Sequence, residues 1–413
     1  MKQKQVFLIP QYMKDFACLG SACKEPCCNG FEKNIPVDHA TYSKYSKVTD
    51  SKIKKQLVNY VKKKRKDFSE HCYAEIVSDS HNLCPFLNEE GLCHIQLSLG
   101  EDYLPEVCYT YPRVTNIVDG VVEVSCSLSC PEAVRLALLS SDGIQFDEIE
   151  DSLGRNYIVK QLDTTINNSV QKPEVYFWQL RIFTIKMLQN RSYDLSDRLI
   201  ILGMFYQKVQ DYIEFNNLDN IARLITDFNH LVDTGTIKEG LSGIPVQPVF
   251  QIELLIELVD RRFARSKRCS RLQELFAKSV SSIGYSEKID MEEMVSRYQK
   301  AFKENYQPFM KEHHYIIENY LVNYVFMSAF PFSGYNNVFI EYTLMVIQYS
   351  IIKLILIGIS DYYKGLDVNL VLSVIQSFFR TIGHSKQYLK DMIDLLQKNG
   401  YVSMPHMAIL IKN

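Results

Sequence analysis

The apolar positions of this chain change their period about a third of the way along it. From about Pro173 onward a helical spacing dominates, with one apolar face per segment. Between Asp367 and Arg380, the positions Leu370, Val371, Val374, Ile375, Phe378 and Phe379 mark such a face. The next segment starts at Ser385, runs through Leu389, Met392, Ile393 and Leu396, and stops at Asn399-Gly400, a pair suited to a helix C-terminus. Val338 to Gly358 is almost wholly apolar yet carries Glu341, Gln348 and Lys353, which a bilayer centre would exclude, so it predicts a buried helix. Upstream, "CPEAVRLALLSS" reads as a helix start, with Pro131 at its first position and Glu132 in its first turn.

In "SKIKKQLVNYVKKKRK", Ser51 to Lys66, the residues Ile53, Leu57, Tyr60 and Val61 fall on one side of a helix, leaving a lysine-covered outer face. Such a face is either plain solvated surface or a docking face for an acidic partner or a phosphate-bearing ligand. Strands are scarce in this reading; "GVVEVSC", Gly120 to Cys126, alternates best.

The first third lacks long amphipathic runs and is punctuated by Gly20, Pro26, Gly30, Pro36, Pro85, Gly91, Pro105, Pro112 and Gly120. Ten of the eleven cysteines fall there. Something other than a large apolar core must hold such a region, and metal–thiolate bonds are the natural candidate. The expected fold is mainly α: a cysteine-rich metal- or cluster-binding N-terminal module over residues 1–140, packed on a larger helical body over residues 141–413.

Composition narrows the compartment and the partners. A hydrophobic share of 46% against 23% charged residues is that of a globular chain, and a net charge of −2 gives no general reason to expect nucleic acid. The apolar run near the N-terminus, Val6 to Ile9, is too short for a secretory signal, and no membrane span is expected. A cytoplasmic protein follows as the expectation, and there thiols stay reduced, so eleven cysteines argue for metal rather than disulfides.

The metal candidates are Cys18, Cys23, Cys27 and Cys28 in "CLGSACKEPCC", with Cys84 and Cys93 in "CPFLNEEGLCHI", Cys108 in "LPEVCYTYPR", and Cys126 and Cys130 in "SCSLSCPEA". Thiolates at short spacing need little loop-closure entropy to converge on a soft or borderline ion. Adjacent Cys27 and Cys28 do not easily share one tetrahedral ion, though they can serve different irons or different sites, and turns at Gly20 and Gly30 would let the backbone bend. Two separated Cys-x-x-Cys knuckles, the mark of a zinc ribbon, are absent from the sequence. Cys72 and Cys269 stand apart and read as small buried hydrophobes. His71 and His94 neighbour cysteines but read as hydrogen-bonded histidines. Arg113 is the candidate cofactor contact, a clamp for carboxylate or phosphate. Glu101, Asp102, Glu106, Tyr109 and Tyr111 lie near Cys108, and none of them is singled out as a catalytic base.

These motifs, with "YMKDFACLGSACKEPCCNGF" and "LSCPEAVRLAL", resemble the flagellin lysine-N-methylases, within the broader group of zinc- or iron-chelating cysteine-cluster proteins. The stretch "FWQLRIFTIKMLQNRSYDLSDRLIILG" (Phe177 to Gly203) and "AFPF" (Ala329 to Phe332) carry the likeness along most of the chain. A Trp would be expected after the Cys-Cys-x-Gly step, where this chain has Phe31. The resemblance implies methylation of flagellin lysines from S-adenosylmethionine, with an iron–sulfur cluster of the [4Fe–4S] type, zinc being the alternative. The residues themselves show no Gly-x-Gly pair of a nucleotide-binding loop, and the spacing Cys-x3-Cys-x2-Cys would need a cysteine at Gly30. Two roles stay open for the cluster, a structural staple or an anchor for the methyl donor. The competing function class is a non-enzymatic metal-binding scaffold or cluster carrier.

Overall fold

The apolar stretch of the C-terminal half forms one 25-residue helix, Val338–Tyr362, buried along almost its whole length. The structure, a computed structural model, describes residues 4–29, 34–79, 83–165, 172–264, 270–285, 289–383 and 385–413; Gly30, Phe31 and Cys269 lie outside these. It is mainly α. The buried helix is long and apolar enough to cross a membrane, but the fold surrounds it completely. Small residues let neighbours approach. Gly358 lies against Ser279 of the helix Arg271–Ser282, and Gly203 of the helix Leu195–Glu214 lies under Tyr342 and Met404. The two amphipathic segments read near the C-terminus fold as helices Val368–Phe378 and Lys386–Lys398. Asp367 caps the first, and Gly400, at φ +70°, follows the Asn399 cap of the second.

Strands are commoner than the alternation suggested. The described residues form β1 (Lys4–Pro10), β2 (Ile35–Val37), β3 (Val61–Lys63), β4 (Ala74–Ile76), β5 (Arg113–Val118), β6 (Val121–Cys126), β7 (Phe146–Ser152) and β8 (Ile158–Leu162). Five make one mixed sheet in the order β7-β1-β6-β5-β8, so β7 and β8 join it from beyond residue 140. The strand read from "GVVEVSC" is β6, at the sheet's centre, parallel to β1 and antiparallel to β5. Val118 and Cys126 belong to the main core, whereas Phe7, Ile9, Val122 and Val124 gather into a small cluster of their own. Edge strand β7, "FDEIEDS", escapes a pattern search because none of its side chains is buried.

A buried ion pair and a polar knot tie the sheet to the helices. Glu123 on β6 accepts from the Arg181 guanidinium of the helix Phe177–Leu188. Tyr12 donates to Asn323 at 2.6 Å and accepts from the Cys126 amide at 3.0 Å.

The other three strands form a small sheet, β2-β4-β3, with its own core of Ile35, Val37, Ile53, Leu57, Ala74, Ile76, Phe86 and Ile95. Here the expected helix over Ser51 to Lys66 is corrected. The helix runs Ser51–Tyr60, capped by Asp50, and then Val61 turns to extended backbone and pairs with Ile76. Val61 is buried in either case, but as a strand it also satisfies β4's ladder, which helix periodicity cannot reveal.

Candidate functional site

The small core is where the cysteines converge. Cys28, Cys84, Cys93 and Cys108 all pack against it. Backbone pairing brings their segments together: the Cys84 amide donates to the Cys28 carbonyl at 3.0 Å, Asn29 bridges Leu83, Leu87 bridges Cys93, and the His94 amide donates to Phe86 at 2.7 Å. Segments 56 residues apart thus become neighbouring extended pieces, with the thiols between them. Cys108 is supplied by the short helix Glu106–Thr110.

The Cys28 side chain is hydrogen-bonded to those of both Cys27 and Cys84. That hydrogen bond lowers the Cys27 pKa to about 7, against the opposing effect of burial, and lowers that of Cys84 as well. Cys28, hydrogen-bonded to two sulfurs that ionise before it, is pushed far up. Cys27 and Cys84 are thereby readier to ionise than Cys28. Burial raises Cys93, whose charged neighbours are Cys84 and Cys27. Burial also raises Cys108, beside Cys84, Cys93 and Cys27. Five of the nine candidate thiols therefore form one electrostatic group.

A second group lies beside it. Burial raises Cys23, next to Cys18 and Cys27, and raises Cys130, next to Cys23 and Cys18. Cys130 is the residue preceding Pro131 of the helix Pro131–Leu138, as the sequence indicated, and the nearby amides of Glu132 and Ala133 oppose the effect of burial on its thiol. Cys126 is fully buried, its Sγ 3.4 Å from Met13 Sδ, with burial raising its pKa. Among the described residues, no three His, Cys, Asp or Glu side chains form a group shaped to hold a metal ion. The thiols are neighbours rather than a closed cage.

The helical body reaches across to the cysteine loop through a residue that the sequence reading missed. Arg380, in the π-helical turn Phe379–Gly383, donates to the carbonyls of Glu25 at 3.4 Å, Pro26 at 3.0 Å and Asn29, and to the Glu25 carboxylate at 3.5 Å. Arg271 holds the other oxygen of that carboxylate, and Gln376 donates to Ser129 at 2.8 Å. Within the sequence Arg380 is one cation at the end of an apolar face, and only its proximity to a loop 350 residues earlier distinguishes it.

The remaining candidates are placed as follows. Arg113 is exposed at the start of β5, its guanidinium 5.4 Å from the Phe16 ring and its charge felt by the Cys126 opposite it in the ladder. His71 is bound to Glu106 at 2.7 Å, two residues from Cys108, and His94 to Gln56 at 2.7 Å. A histidine held by a carboxylate has a fixed tautomer, a geometry suited to proton transfer. Tyr111 bonds Ser129 at 3.0 Å, and burial raises its pKa. Cys72 stands away from both thiol groups, 3.8 Å from Lys64 Nζ.

Residues 181–410 match the FliB lysine N-methylase C-terminal domain. A lysine-N-methylase of Salmonella choleraesuis is 23% identical over 96% of this chain and 98% of its own length. That of Salmonella typhimurium is 22% identical over the same shares. The flagellar biosynthetic protein FliU of Salmonella muenchen is 31% identical over 37% of this chain, spanning 88% of the relative. No solved structure matches. The matched domain contains the buried helix, the Arg380 turn and the polar contacts that meet the cysteine loop, and since it covers more than half of the 413 residues the chain belongs to the FliB lysine N-methylase family.

Proposed function

We propose that the protein transfers methyl groups from S-adenosylmethionine to lysine side chains of flagellin, and that its N-terminal cysteines hold an iron–sulfur cluster of the [4Fe–4S] type. The observation that carries the first part is the match to lysine N-methylases along nearly the whole chain. The flagellar name of the third relative supports the choice of substrate. The donor set supports the second part: Cys28, Cys84, Cys93 and Cys108 are gathered on a small core with Cys27 hydrogen-bonded to Cys28, all are sulfur, and two of the five are biased toward ionisation. Iron fits this set better than zinc, whose structural sites favour two separated knuckles. Four of these five thiols, or three if one iron is left open to the donor, would supply the ligands, with the Arg380 contacts holding the loop of Cys27 and Cys28 in place.

When bound, the cluster supplies either a rigid staple or Lewis acidity toward the donor's amino-acid end. The transfer itself needs no electron. A lysine amine, with an ordinary pKa of about 10.4, must first lose its proton. Its lone pair then attacks the donor's methyl carbon as the carbon–sulfur bond breaks. The donor leaves as a neutral thioether, and the methylated amine takes the positive charge. The chain's share is to bring the lysine and donor together in line and to keep water from the amine.

The test pairs metal analysis with transfer. Anaerobically purified protein should carry iron and sulfide and pass label from the donor to flagellin. Cys27→Ser should lose iron, and Cys72→Ser should keep it. Loaded protein that methylates no lysine would return the chain to the competing class, a metal-binding scaffold. Formation of 5′-deoxyadenosine in step with methylation would refute the polar route.

A further inference from the structure

The helix Ser51–Tyr60 and the strand β3 that follows carry a charge imbalance unlike the rest of the chain. Ser51 to Lys66 hold eight basic residues and no acidic one, whereas the other 397 residues carry 38 basic and 48 acidic side chains, a formal −10. Seven of the eight cations are exposed. Among the described residues Lys64 alone is ion-paired, with Glu75 at 3.6 Å. Apolar side chains stand between the cations: Val58 is 66% exposed, Phe68 59% and Tyr60 38%.

This is a built surface rather than a frayed tail. Asp50 caps the helix, Ile53 and Leu57 bury its inner face in the small core, and β3 is paired to β4. The same core carries Cys28, Cys84, Cys93 and Cys108. Gln56 bonds His94 at 2.7 Å, the residue after Cys93, so the patch is one helix away from the thiols.

We propose that this patch docks an acidic segment of the protein substrate. The inference rests on reading the chain as a methylase of a protein. Mixed cations and apolar side chains suit a segment that interleaves carboxylates with hydrophobic residues. The same cations repel the target ammonium, which keeps the reacting lysine off the patch and free to enter the site. Single-stranded nucleic acid is the less favoured occupant. It gains most from a row of open aromatic faces for successive bases, and here Tyr73 is covered by Lys63 at 4.6 Å and Tyr60 meets Phe86 edge-on, which leaves Phe68 as a single open ring.

The test uses the full chain and a variant carrying Lys54→Glu, Lys55→Glu, Lys62→Glu and Lys66→Glu, all at exposed positions. Binding of a fluorescent polyglutamate peptide should weaken by at least about tenfold in the variant, and the native affinity should fall as salt rises. Flagellin should displace the peptide. The matching Lys→Gln variant should show a smaller loss, and both variants should unfold at the native urea midpoint. Equal peptide binding by native and charge-reversed protein would overturn the proposal, as would polyuridylate binding more tightly than polyglutamate at the same residues. Peptide binding lost in the variant, in a protein that methylates nothing, would leave the patch standing and bring down the methylase reading alone.

Discussion

Lys353 offers a test of how burial governs charge in the helical core. It sits in the helix Val338–Tyr362, 6% exposed, with Nζ donating to the Ile411 carbonyl at 2.8 Å. That carbonyl belongs to the last turn of the helix Met404–Ile411, whose neighbouring carbonyls are met by Ser350 and Gln251. The helix end and the rings of Phe302 and Tyr349 favour a cation. Burial, helped by repulsion from Lys412, outweighs them and brings the pKa down from 10.5 to about 7. The unfolded chain therefore binds more protons than the folded one between about pH 7 and 10.5, so this group makes stability rise with pH across that window. Below about pH 7 its full cost is present, roughly 5 kcal/mol at about 1.4 kcal/mol per unit. Lys353→Met removes the titration. It also leaves the Ile411 carbonyl without its donor, a loss of about 1–2 kcal/mol that does not change with pH. Urea unfolding of both proteins from pH 7 to 9 should show native stability gaining on the variant by about 2–3 kcal/mol. Parallel profiles would mean that Lys353 keeps an ordinary proton affinity, and the account of its burial would fail.

Two further outcomes follow from close contacts. Gly358→Ala should cost about 1–3 kcal/mol, because the added methyl runs into the hydroxyl and backbone of Ser279, and an unchanged urea midpoint would refute that packing. Arg380→Ala should release the loop around Glu25, Pro26 and Asn29, raising the rate at which a thiol reagent modifies Cys23 and Cys27 by about tenfold while buried Cys126 stays slow; equal rates would show that the arginine does not hold the loop.

The helical two-thirds were legible because amphipathic periodicity is a local property. Asp367, Asn399-Gly400 and Pro131 mark helix ends by chemistry that acts within a few residues. The apolar stretch from Val338 declared itself buried through the cost of placing Glu341 and Lys353 in lipid. Each of these carboxylate and ammonium groups found partners inside the fold: Glu341 accepts from the Gly334 and Tyr335 amides at 2.8 Å, and Lys353 from its place beside the last helix donates to Ile411. The strands were less legible. β7 buries no side chain, and β3 hides inside a helical spacing because Val61 faces the small core in either conformation.

Clustering of cysteines along the chain was sufficient to nominate nine thiols, since spacing and compartment are sequence properties. Their partition was not. Cys28 meets Cys84 because two extended segments pair across 56 residues, and Cys130 joins Cys23 because a helix start is carried beside the loop of Cys18 and Cys23. Arg380 meets the cysteine loop from a turn some 350 residues later. The sequence by itself determined which side chains can bind metal, carry charge or end a helix, because those properties belong to each residue and its near neighbours. Which thiols become neighbours, which cation reaches the loop and which lysine loses its charge were decided by the tertiary structure, because hydrogen bonds and desolvation depend on distances that only the folded chain sets.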